Sequence, residues 1–528
     1  MASRPFLAVL LVLAVALPSA ADPGTAAPPD AVLELARRSG PGRAVLAAFP
    51  EVELEAELDA DREKWVVRFH TDELREVAVV ETDLAGAHLL DGGLSPEVES
   101  RLYGTRASLP VHGAVALAVL LALYGPWRGR WGAAPWDLAL LMCLVIPLDQ
   151  PLVDNRVAHT AIWLATLALM ARALWAARRA SPPEGPAPAL GVPALAVLLA
   201  CALAYHAHVL VVSATEDSGV WGAFGAQYLL RTGEWPYGQP HFGEGSAYGP
   251  LFYVLFAPAT ALCPPAYESA TGWTLLDEAL PETFERLSLA ACKLTVAPAD
   301  LAIVGLLVLY GRRARDWRTG LALGLVYAVL PYTALELIHP SRSVPTAFCV
   351  AALVLARRPA WAGAMLGAGV AVLHYPLALV PLWFSQYRGR ERWTFVQPLV
   401  LIAALSLAAI HRGESDWPRF VESTWGYQEG IDRYGKSEFG FWGQNPSIAL
   451  AKPVLRALHL VGCAALVFWR AGPSPHRLAS MSAAILTGVQ LWKTHGGGGY
   501  ICWHLPFVLA ALLVRAPTEA TATSAARP

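Results

Sequence analysis

The chain has 528 residues, of which 55% are hydrophobic and 16% charged, and its formal net charge is −2. Soluble domains carry about 25% charged residues, so we expect most of this chain to lie in a membrane. The near-zero net charge gives no reason to expect a nucleic-acid partner. The seven cysteines include no CxxC pair, so we predict neither a disulfide framework nor a thiolate metal site.

The first 21 residues predict a secretory signal peptide. Arg4 precedes an apolar run over residues 6–17, and small residues at 19–21 suit a cleavage site. An uncleaved anchor is the alternative interpretation. Both alternatives place the residues that follow outside the cytoplasm.

Residues 22–108 predict a small extracytoplasmic α+β domain. Lys64–Phe69 alternates like a strand, residues 77–81 read as a second strand, and residues 31–38 as a short helix. The strand spacing is weakly similar to that of PepSY-type extracytoplasmic modules. No catalytic constellation is apparent there, so the similarity implies a regulatory or docking role.

Apolar runs of membrane-spanning length follow, about 13 in all. Three of them occupy residues 109–190, and the loops after them alternate between arginine-rich and acidic composition. Because arginine-rich loops stay in the cytoplasm, this alternation predicts that Glu216 and Asp217 lie outside. Residues 191–516 are expected to form the membrane core, and residues 517–528 a disordered cytoplasmic tail.

One apolar run breaks the alternation if it crosses the membrane. Tyr248–Leu262 is followed by an acidic stretch over residues 268–285, whereas the next apolar run ends at Arg312 and Arg313. A crossing would place the acids inside and the arginines outside, against the usual charge bias. We therefore expect Tyr248–Leu262 to be re-entrant or interfacial.

A paired acid marks the end of the first core helix. Glu216 and Asp217 follow the apolar run at 192–212, and an amphipathic segment comes next. Its large side chains share one helical face; they are Trp221, Phe224, Tyr228 and Leu229. We expect a helix that lies in the interface and a carboxylate at the lipid–water boundary, where an enzyme acting on a lipid-linked substrate needs a base.

Several segments in order resemble the GT-C superfamily of glycosyltransferases that use polyprenyl-phosphate sugars, in the membrane mannosyltransferase branch called DUF2029 or GT87. After Asp217 these are Leu230–Tyr237 (L-x-x-G-x-x-P-Y), Tyr248–Leu251, the pattern Gly363…Gly367…His374-Tyr375-Pro376…Pro381, and Trp442–Ser447. The resemblance covers residues 192–515. Two positions depart from it, because Gly249 stands where the family has proline and His374 where lysine is common.

The resemblance implies an all-α, polytopic, GT-C-like membrane enzyme of the bacterial cell envelope. It would move a sugar, mannose in that branch, from polyprenyl phosphate to an acceptor hydroxyl at the outer face, without a metal or other cofactor. The acceptor class, a lipid, a glycan or a protein, stays open. Asp217 would accept the hydroxyl proton as general base, with Glu216 as its substitute. An Asp before a helix also caps it, and that structural alternative stays open.

Candidate binding residues follow from the same placement. Five cationic or imidazole side chains at outward helix ends are candidates for the donor phosphate; they are Arg342, His339, His374, Lys493 and His495. Any one of them is alternatively a snorkelling anchor. Four aromatic residues are candidates to stack on the sugar or the acceptor; they are Trp221, Trp235, Tyr237 and Tyr248. An aromatic belt at the interface is the alternative for these four.

Two other functions stay open from the sequence. A polytopic lipid or sugar transporter, or flippase, would be expected to show repeated halves or midplane charges, and no internal repeat is apparent. A non-catalytic GT-C-like scaffold is the second alternative, with the N-terminal module as the working part.

Overall fold

The computed structural model describes residues 29–39, 46, 52–59, 64–70, 78–83, 89–94, 109–124, 140–141, 156–178, 188–212, 217–238, 246–261, 282–335, 337, 339–410, 416–426, 440–469, 474–493 and 499–514. The predicted signal peptide, most of the span at 136–148, Glu216, His495 and the C-terminal tail lie outside this part of the chain. The chain forms two compact units, residues 1–95 and 96–528.

The first unit contains helix α1 (Pro29–Arg38) and a four-stranded antiparallel sheet. Its strands pair in sequence order: β1 (Glu53–Asp59), β2 (Lys64–His70), β3 (Ala78–Asp83) and β4 (Leu89–Leu94). The predicted helix and the two predicted strands are confirmed. The sequence did not indicate β1, in which every second residue is acidic. It did not indicate β4 either, because this strand contains Asp91-Gly92-Gly93, and Asp and Gly are rare in strands.

In the second unit every described element is helical. Its α-helices in chain order are α2 (Leu109–Tyr124), α3 (Arg156–Arg178), α4 (Val192–Val212), α5 (Asp217–Thr232), α6 (Pro250–Ala261), α7 (Glu282–Ala314), α8 (Trp317–Val329), α9 (Pro331–Leu335), α10 (Pro340–Val354), α11 (Pro359–Val372), α12 (Val380–Gln386), α13 (Arg390–Ile410), α14 (Asp416–Val421), α15 (Phe441–Gln444), α16 (Ala451–Ala465), α17 (Pro475–Trp492) and α18 (Leu505–Leu513). Short 3₁₀ turns cover Tyr375–Leu379 and Ile501–Trp503, and a π-turn covers Glu422–Gly426.

Five of the described helical segments are long and apolar enough to cross a membrane; they are His159–Arg178, Val192–Val211, Ala290–Ala314, Arg390–Ile410 and Ala451–Phe468. Three shorter apolar helices accompany them; they are Ala114–Tyr124, Pro250–Ala261 and Pro359–Val372. The prediction of a helical membrane protein is therefore confirmed. The figure of about 13 spans stays a prediction.

The two glycines of the G-x-x-x-G pattern lie where α11 packs closely against α13. A Cβ on Gly363 would overlap the Phe395 carbonyl oxygen, and a Cβ on Gly367 would lie 3.1 Å from the Leu399 Cα. Glycine at these two positions lets the backbones approach as closely as they do in GxxxG pairs. The motif is therefore explained by packing.

Helix α5 is packed on more than one side. Phe224 and Tyr228 are buried, and so are Ser218 and Gln227. Two glycines of α5 face α6, where a Cβ on Gly222 or Gly225 would collide with the rings of Phe256 and Tyr253. Other helices therefore cover much of α5, and its position at the membrane interface stays a prediction.

The C-terminal helices form much of the interior. Helices α17 and α18 are buried along most of their length and pack against each other. Helix α3, which the sequence assigned to a separate extension, packs along α17. Helix α3 therefore belongs to the same bundle as the helices of the predicted membrane core.

Candidate functional site

Two predicted phosphate-binding cations meet at one aromatic ring. Arg342 lies in the first turn of α10, and Lys493 directly follows the last residue of α17. The Arg342 Cζ lies 4.5 Å and the Lys493 Nζ 3.9 Å from the centroid of the Tyr500 ring. Both distances fall within the range of cation–π contacts. The first turn of α10 and the chain after α17 thus bring two positive charges together at the Tyr500 ring.

The electrostatics of this pair favour an anion. Burial, and then the positive charge of Arg342, lower the pKa of Lys493 to about 7. Each charge raises the free energy of the other, because like charges repel. A phosphate bound between them would reverse that repulsion and stabilise both charged forms.

Stacked aromatic rings continue from this cation pair into the core. The Tyr500 ring lies 4.7 Å from that of Trp503, and the Trp503 ring stacks on Tyr375 at 4.0 Å. The hydroxyls of Tyr375 and Thr346 form a hydrogen bond of 2.9 Å, and Thr346 donates to the Arg342 carbonyl. The ring stack therefore connects the two chain segments that carry the cations.

The end of α17 is fixed by two indoles. Trp163 of α3 and Trp442 of α15 each donate an Nε1–H to the Leu491 carbonyl oxygen at 2.9 Å. The last carbonyls of a helix lack intrahelical partners, so these two bonds satisfy an otherwise open acceptor. Lys493 follows two residues later. Trp442, the first residue of the Trp442–Ser447 motif, therefore anchors the backbone close to Lys493.

His374 lies in a different environment from the two cations. Its ring is 4.8 Å from Trp425 and 6.3 Å from Phe420, at the corner between α11 and the 3₁₀ turn. Burial lowers the pKa of His374 to about 4. The imidazole is therefore neutral at neutral pH. A neutral imidazole still offers hydrogen bonds, so a role of His374 in donor binding stays a prediction.

The predicted sugar-stacking residues divide into two kinds. Trp235 is partly exposed and donates its indole N–H to the Ala409 carbonyl at 2.8 Å. Tyr237 is buried, its hydroxyl donates to the Tyr248 carbonyl, and its ring packs edge-on against Phe420 at 4.9 Å. This packing gives Tyr237 a structural role, because neither face of its ring is open. Trp235 and Tyr248 keep partly exposed rings.

Gly249 has a physical explanation in this fold. Its N–H donates to the Val372 carbonyl at 3.0 Å, and a Cβ there would overlap the Ala371 carbonyl oxygen. Proline at position 249 would lack the N–H donor and would add atoms where the chain has no room. The departure from the family pattern therefore fastens the turn at Tyr248 to the end of α11, two residues before His374.

The turn after α5 is fastened to the segment at 416–426. The Gly238 N–H donates to the Ser423 Oγ at 3.0 Å, and Gly238 adopts a positive φ of 67°. That backbone conformation favours glycine, and the stem of Arg419 fills the space beside it. The exposed rings of Trp417 and Trp425 stand on the same segment. An aromatic surface thus lies beside His374.

The remaining predicted residues flank these two clusters. Asp217 is the first residue of α5, which packs against α6, α7 and α10. Helix α5 therefore meets the helix whose first turn contains Arg342. Trp221 is partly buried, with its ring 6.5 Å from Phe224, and His339 is buried at the N-cap position of α10. Glu216 and His495 lie outside the described residues.

Sequence reasoning missed several residues of the site. Tyr500, Trp503 and Trp425 were not singled out from the sequence, and Trp163 lies before the segment that resembles a known family. One signal was present, because the four glycines at 496–499 allow the chain to reverse between Lys493 and Tyr500. No comparable local signal marks Trp163, whose partner carbonyl at Leu491 is 328 positions away.

Within the described part of the chain, no group of three or more His, Cys, Asp or Glu side chains is arranged to hold a metal ion. No protein-family model and no curated protein sequence matches the chain.

Proposed function

We propose that the chain is an integral membrane glycosyltransferase that moves a sugar from a polyprenyl-phosphate donor to an acceptor hydroxyl at the outer face of a bacterial plasma membrane. The sugar is mannose in the branch that the sequence resembles. The observation that carries the proposal is the meeting of Arg342 and Lys493 over the ring of Tyr500. A lipid phosphate is an anion that reaches such a site from the membrane.

The two cations have a specific task in this reaction. When the bond between the sugar and the phosphate breaks, the departing phosphate gains negative charge. Arg342 presents a planar fork of N–H groups, and Lys493 adds a compact ammonium. Both stabilise the leaving group more strongly as its charge grows, and that difference between ground state and transition state is what accelerates a reaction.

The acceptor side of the reaction needs a base. As the acceptor oxygen bonds to the anomeric carbon, its proton must pass to a nearby group, and a carboxylate at neutral pH can take it. Asp217 is assigned this role, because α5 begins there and packs against the helix that carries Arg342. Glu216 is the alternative carboxylate.

The aromatic surface beside His374 suits the sugar. Trp425 and Trp235 offer partly exposed indole rings, and His374 is a neutral hydrogen-bonding group between α11 and the following turn. Aromatic faces pack against the C–H groups of a hexose ring, while a neutral imidazole donates to or accepts from a hydroxyl. Sugar and phosphate would then lie on opposite sides of the corner formed by His374 and Tyr375. The ring of Tyr375 stacks on Trp503.

Reconstituted protein tests the proposal. Wild-type, Asp217→Asn and Arg342→Gln proteins are placed in proteoliposomes with polyprenyl-phosphate mannose labelled in the sugar, and the labelled product is counted over time with lipid, oligosaccharide and peptide acceptors. Removing a general base lowers the rate about 10²- to 10⁴-fold. We expect Asp217→Asn to show that loss in kcat, whereas Arg342→Gln weakens donor binding as well.

The same vesicles separate this function from the alternatives. A flippase or transporter would move the labelled lipid between leaflets without forming a new glycosidic bond. A non-catalytic scaffold would do neither. Absence of transfer by the wild type from every polyprenyl-phosphate sugar would contradict the proposal, and full activity of Asp217→Asn would remove Asp217 from the mechanism.

A further inference from the structure

A buried histidine and a buried aspartate join three helices of the bundle. His206 of α4 places Nδ1 2.8 Å from the Asp300 Oδ2 of α7, and Nε2 2.8 Å from the Ala328 carbonyl oxygen of α8. His206 and Asp300 are 2% and 3% exposed. Neither residue was singled out from the sequence, and the proposed reaction uses neither of them.

The geometry determines where the protons lie. A carbonyl oxygen only accepts, so Nε2 of His206 must carry a hydrogen. The 2.8 Å contact between Nδ1 and the carboxylate then needs one further proton between them. Whichever atom holds that proton, the pair is neutral overall. Burying a neutral, fully hydrogen-bonded pair among apolar helices costs much less free energy than burying a lone charge.

A second contact joins the same two helices nearer the end of α4. The Lys293 Nζ of α7 donates to the Val211 carbonyl oxygen at 2.8 Å. Lys293 and Asp300 are seven residues apart, which places them on the same side of α7 two turns apart. Their partners Val211 and His206 occur in the opposite order along α4, as expected for antiparallel helices.

Much of α4 is not buried by the bundle. Only 17% of the most apolar window of Val192–Val211 is buried, and α8 and α7 are its main neighbours. Apolar side chains facing lipid give little positional preference, because lipid tails are as apolar as they are. The directional bonds from α7 and α8 therefore add to the packing of Val209 and Leu210 in fixing the end of α4.

We propose that His206, Asp300 and Lys293 clamp the end of α4 to α7 and thereby help to fix the start of α5, whose first residue is Asp217. They are positioning residues for the Asp217 carboxylate, and this role rests on the proposed function. Helix α7 also packs against α5. Helix α7 thus contacts both α4 and α5, so a loosened clamp moves the base and leaves the cations at Tyr500 in place.

Three substitutions separate a clamp from general stability. Asp300→Asn keeps the bond, because its amide N–H donates to Nδ1 of a neutral His206. Asp300→Ala removes the bond. Leu301→Ala is the matched control, since Leu301 is the next residue and is 55% exposed. Should Asp300→Ala fail to fold, the double variant His206→Leu/Asp300→Leu replaces the pair by apolar side chains, which buried pairs often tolerate.

Hydrogen–deuterium exchange of the full-length protein in nanodiscs tests the clamp independently of enzymatic activity. We expect Asp300→Ala, or the double variant, to speed exchange of the amides at 207–212 by about tenfold or more, while Asp300→Asn and Leu301→Ala match the wild type. In the transfer assay, kcat should fall roughly ten- to a hundredfold with donor KM unchanged, and Asp300→Asn should restore it.

Wild-type exchange rates at 207–212 in both Asp300→Ala and the double variant would overturn the clamp. Faster exchange combined with an unchanged kcat would overturn its positioning role. If the wild type transfers no sugar, the proposed function fails, and the exchange rates alone then decide whether the clamp exists.

Discussion

Arg342 and Lys493 lie over the same Tyr500 ring, at 4.5 and 3.9 Å from its centroid. A single cation at a helix end is commonly a membrane anchor. Two cations lie instead at one partly exposed ring, and burial and the charge of Arg342 lower the pKa of Lys493 to about 7. This is the arrangement that we propose binds an anion. This relationship links the fold to the proposed chemistry.

The affinity for the donor should depend on pH through Lys493. Its pKa is lowered to about 7, so the side chain is charged below that pH and loses its charge as the pH rises through it. Phosphate binding needs the charged form, and a bound phosphate raises the pKa in turn. We expect donor KM to rise by up to about tenfold per pH unit above pH 7.

Lys493→Arg is the matched control for this pH dependence, because a guanidinium stays charged throughout the range. Its donor KM should be nearly constant between pH 6 and 9, on the order of the wild-type value at low pH. An equal pH slope in both proteins would assign the titration to another group.

Substitution of Gly249 should destabilise the bundle. A Cβ there would overlap the Ala371 carbonyl oxygen, and inserting atoms into a packed site costs about 1–3 kcal/mol. Gly305→Ala is the control, because no heavy atom lies within 4 Å of its added Cβ. Thermal unfolding in detergent should show a lower Tm for Gly249→Ala and an equal or slightly higher one for Gly305→Ala. Equal melting of both variants would contradict this explanation of Gly249.

Trp163 and Trp442 should compensate for each other. Each donates to the Leu491 carbonyl, so one bond remains when either indole is replaced by phenylalanine. A typical hydrogen bond contributes about 1 kcal/mol, whereas an unsatisfied buried acceptor costs about 1–3 kcal/mol. We expect the double variant to lose more stability, and to raise donor KM further, than the two single variants combined. Strictly additive losses would show that the two bonds act independently.

The position of most helices was predictable from the sequence. The apolar run at 192–212 is helix α4, and the runs ending near 410 and 492 end α13 and α17. The length of an apolar run and the charges that follow it are local features of the sequence, so they can be recognised without knowledge of the fold. The strand at Lys64–Phe69 was found in the same way, from its alternation.

Contacts between distant segments were not predictable. His206 and Asp300 each lie in a largely apolar stretch of their helix, and no local feature of the sequence shows that they meet. The environment of His374 depends on Phe420 and Trp425, which lie in the segment after α13. The amphipathic pattern of α5 placed Phe224 and Tyr228 on one helical face, and both are buried. It could not show that Gly222 and Gly225 let the rings of α6 cover the helix further.

Direct binding of the lipid phosphate tests the cation pair most closely. Purified wild-type protein and the Arg342→Gln/Lys493→Gln double variant are titrated in nanodiscs with polyprenyl phosphate, and with the same polyprenol lacking the phosphate. The wild type should bind the phosphate form at least about tenfold more tightly than the alcohol, and the double variant should bind both alike. Equal affinity of the wild type for phosphate and alcohol, or an unchanged preference in the double variant, would contradict a phosphate site at Arg342 and Lys493.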